Sequence, residues 1–341
     1  MGTPAPRLLP GGPVTAAGLP RGRLVTFGEA MGRVTADRIG LLDVSRSFTM
    51  SVGGAESNVA VAAARLGAHV TWAGRLGGDS VGDLIERRLR TEGVRSRVTR
   101  DDGFTGLMVC SRRTNAGVRV DYHRAGSAGS RLTKDDVGED LVRQAAVLHV
   151  TGITPALSAT ARATTSWAVR TARALGVTVS VDVNYRSKLW SRQEAAPVLR
   201  ELVTQADIVF AGPEEAALVL GTDEAYASAR AREPLVLARS LAALGAREAI
   251  IKDGPRGCAA VIDHREYVRA AVPVETVDPV GAGDAFVAGY LVERLAGGDA
   301  GVRLTTATRT GAYAVTVPGD CEGLPFRHEL DSFSAAEDVS R

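Results

Sequence analysis

Short β-branched runs alternate with helical segments along most of this chain, and that alternation restricts its fold more than any other feature. An apolar strand is expected from Arg23 to Glu29, ending at Gly28-Glu29, and a second strand-like segment approaches Val52 before Gly53-Gly54. The small apolar residues from Ala55 to Leu66 predict a helix that Gly67 stops. The rhythm continues with a strand over Val70 to Gly74 and a helix over Ser80 to Arg90, then a strand over Val147 to Thr151 and a helix over Ala159 to Leu175. Further strands are expected at Val177 to Val183, Ile208 to Phe210, Ala249 to Lys252 and Val272 to Val277. Helices are expected at Glu194 to Thr204, Pro213 to Leu220, Leu235 to Leu244 and Ala285 to Leu295. Such βαβ units predict an α/β fold with a mainly parallel sheet and helices on both faces.

One region breaks the rhythm. Arg97 to Arg100, Gly106 to Arg112 and Val118 to His123 read as short strands joined by turn residues at Asp101-Asp102-Gly103 and Thr114-Asn115-Ala116-Gly117. A small antiparallel flap, formed mainly by about 30–52 and 94–125, is expected to close over a ligand or to supply a dimer surface. The folded domain should span about 23–330, with a disordered Pro- and Gly-rich tail over 1–22 and a short polar tail over 331–341.

The chemistry concentrates in Asp278-Pro279-Val280-Gly281-Ala282-Gly283-Asp284-Ala285-Phe286. Three small residues precede an acid in the first turn of an expected helix. N–H groups there lack intrahelical partners and the helix dipole adds positive potential, so the turn suits an anion. Asp284 is placed to accept a proton from an alcohol while the amides of Gly281, Ala282 and Gly283 steady phosphate oxygens. Other phosphate-binding patterns are missing. No Gly-Lys pair occurs, which excludes a P-loop, and neither Gly-x-Gly-x-x-Gly nor His-Glu-x-x-His is found.

Composition narrows the partners. Formal charge is +2 from 41 basic and 39 acidic residues without basic clusters, so nucleic acid is not an expected partner. No apolar run is long enough to span a membrane. Cys110, Cys258 and Cys321 are widely spaced and form no Cys-x-x-Cys pair, which fits a reducing cytoplasm.

The Asp278 to Phe286 string, together with Gly74-Arg75-Leu76-Gly77-Gly78-Asp79-Ser80-Val81-Gly82, resembles the paired signatures of the ribokinase-like (PfkB) carbohydrate kinases. Within that family three strings are similar to 2-keto-3-deoxygluconate kinases: Gly53 to Asn58, Tyr122 to Ala128, and Asp182 to Trp190. The resemblance implies a three-layer ribokinase-like fold with a β lid, ATP and Mg²⁺ as cofactors, room for a monovalent cation such as K⁺, and a homo-oligomer built through the lid. It implies transfer of phosphate to the terminal primary hydroxyl of a keto-acid sugar. A fructokinase or 5-dehydro-2-deoxygluconokinase is the alternative, and a catalytically silent sugar-binding regulator the alternative of another class.

Gly53, Gly54, Asn58, Tyr122, Arg124, Arg186 and Asp320 are the implied sugar contacts. Tyr122 and Arg124, two apart in a strand, share one face, and two arginines converging on one ligand suit a carboxylate. Asn184, Lys252, Gly254, Gly257, Gly281 and Gly283 are the implied ATP contacts. Glu215 is implied to organise Mg²⁺ through water, although Gly212 stands where the motif has Asn. Thr308 and Met108 likewise replace an adenine-side Asn and a substrate-facing Tyr.

Overall fold

The computed structural model describes residues 7–8, 22–114, 117–222 and 233–330. The C-terminal tail, the turn at 115–116 and nearly all of the N-terminal tail lie outside the described residues. In chain order the elements are β1 (Arg7–Leu8), β2 (Arg23–Phe27), β3 (Met31–Ala36), β4 (Phe48–Gly53), α1 (Ala55–Arg65), β5 (His69–Gly77), α2 (Ser80–Thr91), β6 (Arg95–Asp101), β7 (Leu107–Thr114) and β8 (Gly117–His123). They continue with β9 (Ala145–Thr151), α3 (Ala159–Ala174), β10 (Thr178–Asp182), α4 (Arg192–Thr204), β11 (Ile208–Ala211), α5 (Pro213–Leu220), α6 (Pro234–Ala242), β12 (Glu248–Lys252), β13 (Cys258–Ile262), β14 (Arg265–Arg269), α7 (Ala282–Leu295) and α8 (Ala300–Ala314). Short helical turns, such as Thr154–Leu157 and Gly254–Arg256, lie between them.

Ten strands form one sheet in the order β1-β14-β13-β12-β11-β10-β9-β2-β5-β6, parallel except where β13 pairs with β12 and β14. Strand residues alternate between the two faces. Ile208, Phe210 and Ile250 pack with α1, α2, α7 and α8, whereas Val209, Ala211, Ala249 and Ile251 pack with α3 to α6. Those two apolar cores make the expected three-layer arrangement. Helix starts are set locally: Asp79 accepts from Gly82 N at 2.8 Å, and Ser191 and Glu194 form a capping box on α4.

A second sheet, β4-β3-β7-β8, forms the lid. Two of its pairings are antiparallel, as expected of the flap, and the central β3–β7 pairing that joins them is parallel. Arg97 to Arg100 belongs elsewhere. It lies in β6, which pairs in parallel with β5 at the edge of the main sheet, and its charged residues suit an exposed edge.

No strand forms over Val272 to Val277. Pro273 has no N–H for a ladder, and the N–H groups of Val277 and Asp278 donate to Val315 O at 2.8 and 3.2 Å instead, tying the segment to the end of α8. Within the expected N-terminal tail, Arg7–Leu8 pairs in parallel with β14.

Candidate active site

Strands β2, β5, β9, β10, β11 and β12 run parallel, so their C-terminal ends open on one edge of the sheet. Asp284 reaches this edge from the first turn of α7 and is buried. The turn before it depends on Gly281, whose φ is +79° and where a Cβ would stand 2.5 Å from Asp320 O. Ala282 N has only a long contact to Pro279 O, at 3.5 Å, which leaves the leading N–H groups of the helix directed outward.

Two amides hold the Asp284 carboxylate. Asn58 Nδ2 donates to Oδ2 at 2.8 Å, and Asn184 Nδ2 lies 3.5 Å from Oδ1. Burial, joined by the charge of Asp182, pushes Asp284 up to about 7, against the opposing pull of the Asn58 bond, Lys252 and Arg186. That is a carboxyl poised to exchange a proton near neutrality.

On the other side of the turn, Lys252 Nζ donates to Asp182 Oδ2 at 2.6 Å. Burial pulls the ammonium down, but Asp182, Glu215 and Asp284 outweigh it and hold its pKa above the ordinary lysine value. The ammonium stands 3.3 Å from where a Cβ at Gly283 would begin, so the glycine keeps the space between cation and helix start open. Asn184 sits at φ +39°, and its Oδ1 and Asp182 Oδ1 are buried without a hydrogen-bond partner among the described residues. Glu215 accepts from Tyr185 N at 3.0 Å and Gly212 N at 2.6 Å, and burial followed by Asp182 raises its pKa. Gly254 opens an exposed turn at φ +56°. Gly257 has a packing reason of its own, because a Cβ there would lie 2.0 Å from Arg269 O.

The expected sugar contacts come together only in part. Gly53 leaves room for Met108 and Asp320, with a Cβ there 2.6 Å from Asp320 Oδ2, and Gly54 takes φ +145° at the start of α1. Asn58 is not free to meet a hydroxyl as expected: its Nδ2 serves Asp284 and, at 3.2 Å, Asp320 Oδ2, and its Oδ1 accepts from Cys321 Sγ at 3.1 Å. Asp320 also takes Arg33 Nη1 at 2.5 Å, and burial raises its pKa despite that partner. Tyr122 and Arg124 do share a face, the guanidinium lying 5.5 Å from the ring centre. Arg124 and Arg186 are not paired on a common point, however. Arg124 is turned onto the buried Glu29, while Arg186 is exposed at the sheet edge and forms no ion pair among the described residues.

The family model of the pfkB family carbohydrate kinases matches residues 21–327. The chain belongs to the PfkB family of carbohydrate kinases. It is 36% identical over 318 residues to a 2-dehydro-3-deoxygluconokinase of Bacillus subtilis, covering 92% of this chain and 95% of that one. It is 34% identical over 300 residues to a 2-dehydro-3-deoxygalactonokinase of Haloferax volcanii, covering 87% and 92%. The crystal structure of a 2-dehydro-3-deoxygluconokinase from Thermotoga maritima superposes with a TM-score of 0.80 at 26% identity, over 93% of this chain and 99% of that chain. This PfkB protein is therefore an ATP-dependent sugar kinase.

The kinase site suits a nucleotide and its metal on its own observations. Lys252 beside Gly283 and the leading amides of α7 supply donors for phosphate oxygens, and the two unpartnered buried oxygens of Asp182 and Asn184 supply acceptors next to them. Among the described residues no cluster of three or more His, Cys, Asp or Glu is arranged as a metal cage, and Mg²⁺ that arrives with phosphates needs none. Thr308 spends its hydroxyl inside α8, donating to Leu304 O and Thr305 O at 3.0 Å.

Three residues of this edge escaped the sequence reading: Arg33, Glu29 and Asp182. Asp182 ends parallel strand β10 and Glu29 lies two residues past β2, both at the C-terminal edge of the sheet, a position that could have marked them. Arg33 gave no signal, because a single arginine in a short strand reads as a solvated one.

Proposed function

We propose that this kinase transfers the γ-phosphoryl group of ATP to the terminal primary hydroxyl of 2-keto-3-deoxygluconate, giving 2-keto-3-deoxy-6-phosphogluconate and ADP. The observation that carries the reaction is Asp284, a buried carboxyl with a pKa near 7 at the start of a helix whose leading amides face the same space. The sugar hydroxyl oxygen bonds to the γ-phosphorus as the bond to ADP breaks, and its proton passes to Asp284. Amides of Gly281, Ala282 and Gly283 take the charge on the transferred group. Lys252, Asn184, Gly254 and Gly257 line the nucleotide side. Mg²⁺ supplies charge neutralisation on the phosphates when bound, and Glu215 would hold it through water.

The substrate class rests on Arg186 and on the relatives. An exposed guanidinium at the ligand edge suits a carboxylate, and Gly53, Gly54, Tyr122, Arg124 and Asp320 are assigned to the sugar beside it. One observation favours the fructokinase reading: Glu29 already neutralises Arg124, leaving one cation where two were expected. Exposed Ile39, Leu41, Leu42, Phe48 and Met50 on and beside the lid support a homo-oligomer formed there. The three cysteines are unpaired and buried, which supports a cytoplasmic setting, and no helix among the described residues is long and apolar enough to cross a membrane.

A coupled ADP-release screen over 2-keto-3-deoxygluconate, its galactose epimer, fructose, ribose and adenosine tests the reading. The keto acids should give the highest kcat/KM; turnover confined to fructose would replace the substrate and keep the reaction.

A further inference from the structure

Arg33 is the largest charged side chain sealed inside the described part of the molecule, 2% exposed. It leaves lid strand β3 and enters the space between the turn before α7 and the turn at Gly319-Asp320. Its terminal nitrogens divide, Nη1 meeting Asp320 Oδ1 at 2.5 Å and Nη2 meeting Asp278 Oδ2 at 3.0 Å. Each carboxylate has a second partner set. Asp278 accepts from Val280 N and Gly319 N, both at 3.2 Å, and so fixes the turn leading into Gly281. Asp320 Oδ2 accepts from the Asn58 Nδ2 that also holds Asp284.

We propose that Arg33 is a positioning residue for phosphoryl transfer: it ties the lid strand to the turn before the base helix and, through Asp320 and Asn58, sets the orientation of Asp284. The inference rests on Asp284 acting as the base. Arg33 itself reaches no reacting atom. A guanidinium fork holds two terminal nitrogens at a fixed spacing for two carboxylates, whereas an ammonium is a single point charge without that fork. Without the cation, Asp320 is a buried carboxylate lacking a counter-charge, which takes up a proton or turns away. Asn58 then loses its second anchor and its hold on Asp284 loosens. The groups facing Asp284 are Asn58 from α1, Asp182, Asn184 and Arg186 from the end of β10, and Lys252 from β12. Asp320 stands behind them across the shared Asn58 amide, so exchanging Arg33 reaches Asp284 through Asp320 and Asn58, and a changed pH profile reports that link.

The test compares Arg33→Met, Arg33→Lys and Asp284→Asn in the full chain by ADP-release kinetics across pH, alongside thermal unfolding. Arg33→Met should lose about 10²-fold in kcat, the scale of a small misplacement at a reacting centre. Its acidic limb of kcat/KM should move to higher pH, because the Asn58 bond favours the ionised form of Asp284. Arg33→Lys should recover part of the rate; if Arg33→Met fails to fold, Arg33→Lys and Asp320→Asn carry the same comparison. Folded variants with an unmoved limb overturn the proposal, whether or not kcat falls. Asp284→Asn with unchanged turnover overturns the base reading as well, so the two failures are told apart.

Discussion

Arg124 is held by Glu29: its Nε donates to Glu29 Oε2 at 2.7 Å, a terminal nitrogen contacts the same oxygen, and Ser127 Oγ donates to the other. The glutamate is almost wholly buried and the arginine nearly so. A buried carboxylate stripped of its partner costs about 3–5 kcal/mol. Arg124→Ala should therefore lower the melting temperature clearly. Arg186→Ala, which breaks no ion pair among the described residues, should leave melting unchanged and raise KM for a keto-acid sugar about tenfold or more, the scale of a charge-assisted hydrogen bond. Calorimetry and steady-state kinetics on the two variants decide it; equal melting losses in both would contradict the division of roles.

The pH profile follows from Asp284. Burial first, then Asp182, lifts its carboxyl to about 7, so the proton-accepting form grows as pH rises through neutrality. In the free enzyme kcat/KM should rise from pH 6 to pH 8 with an acidic limb near 7. Asn58→Ala removes a hydrogen bond that favours the ionised form, which should shift that limb upward. A profile flat over this range argues against Asp284 as the titrating group.

Gly281 and Gly283 should respond differently to alanine. Gly281 has a left-handed φ and its Cβ would strike Asp320 O, so Gly281→Ala should lose stability, on the order of 1 kcal/mol or more. Gly283 lies within α7 and at no such angle, so Gly283→Ala should fold as well as the parent. Its methyl group would stand 3.3 Å from Lys252 Nζ and crowd the anion space. Kinetics should then show a lower kcat and a raised KM for ATP with melting intact.

The residues that reveal themselves in the sequence are those whose chemistry depends on local geometry. Gly281 to Asp284 is legible because a tight turn, a helix start and an acid lie within four positions, whereas Lys252, Asn184 and Arg186 came from the family resemblance. What escaped depends on contacts across long separations. Arg33 meets Asp320 across 287 positions and Arg124 meets Glu29 across 95, and no periodicity encodes such pairs. The strand expected at Val272 to Val277 failed for a local reason, Pro273, that β-branched composition concealed. Parallel pairing of β3 with β7 is likewise invisible to a reading that joins neighbouring strands into hairpins.

Asp284→Asn keeps the shape of the side chain and removes its capacity to take a proton. The decisive measurement is its kcat in ADP release with ATP and 2-keto-3-deoxygluconate saturating, with binding of both checked by calorimetry. A fall of roughly 10²–10⁴-fold with binding preserved is the expected result. A folded variant that binds both and turns over at the parent rate would contradict the role assigned to Asp284.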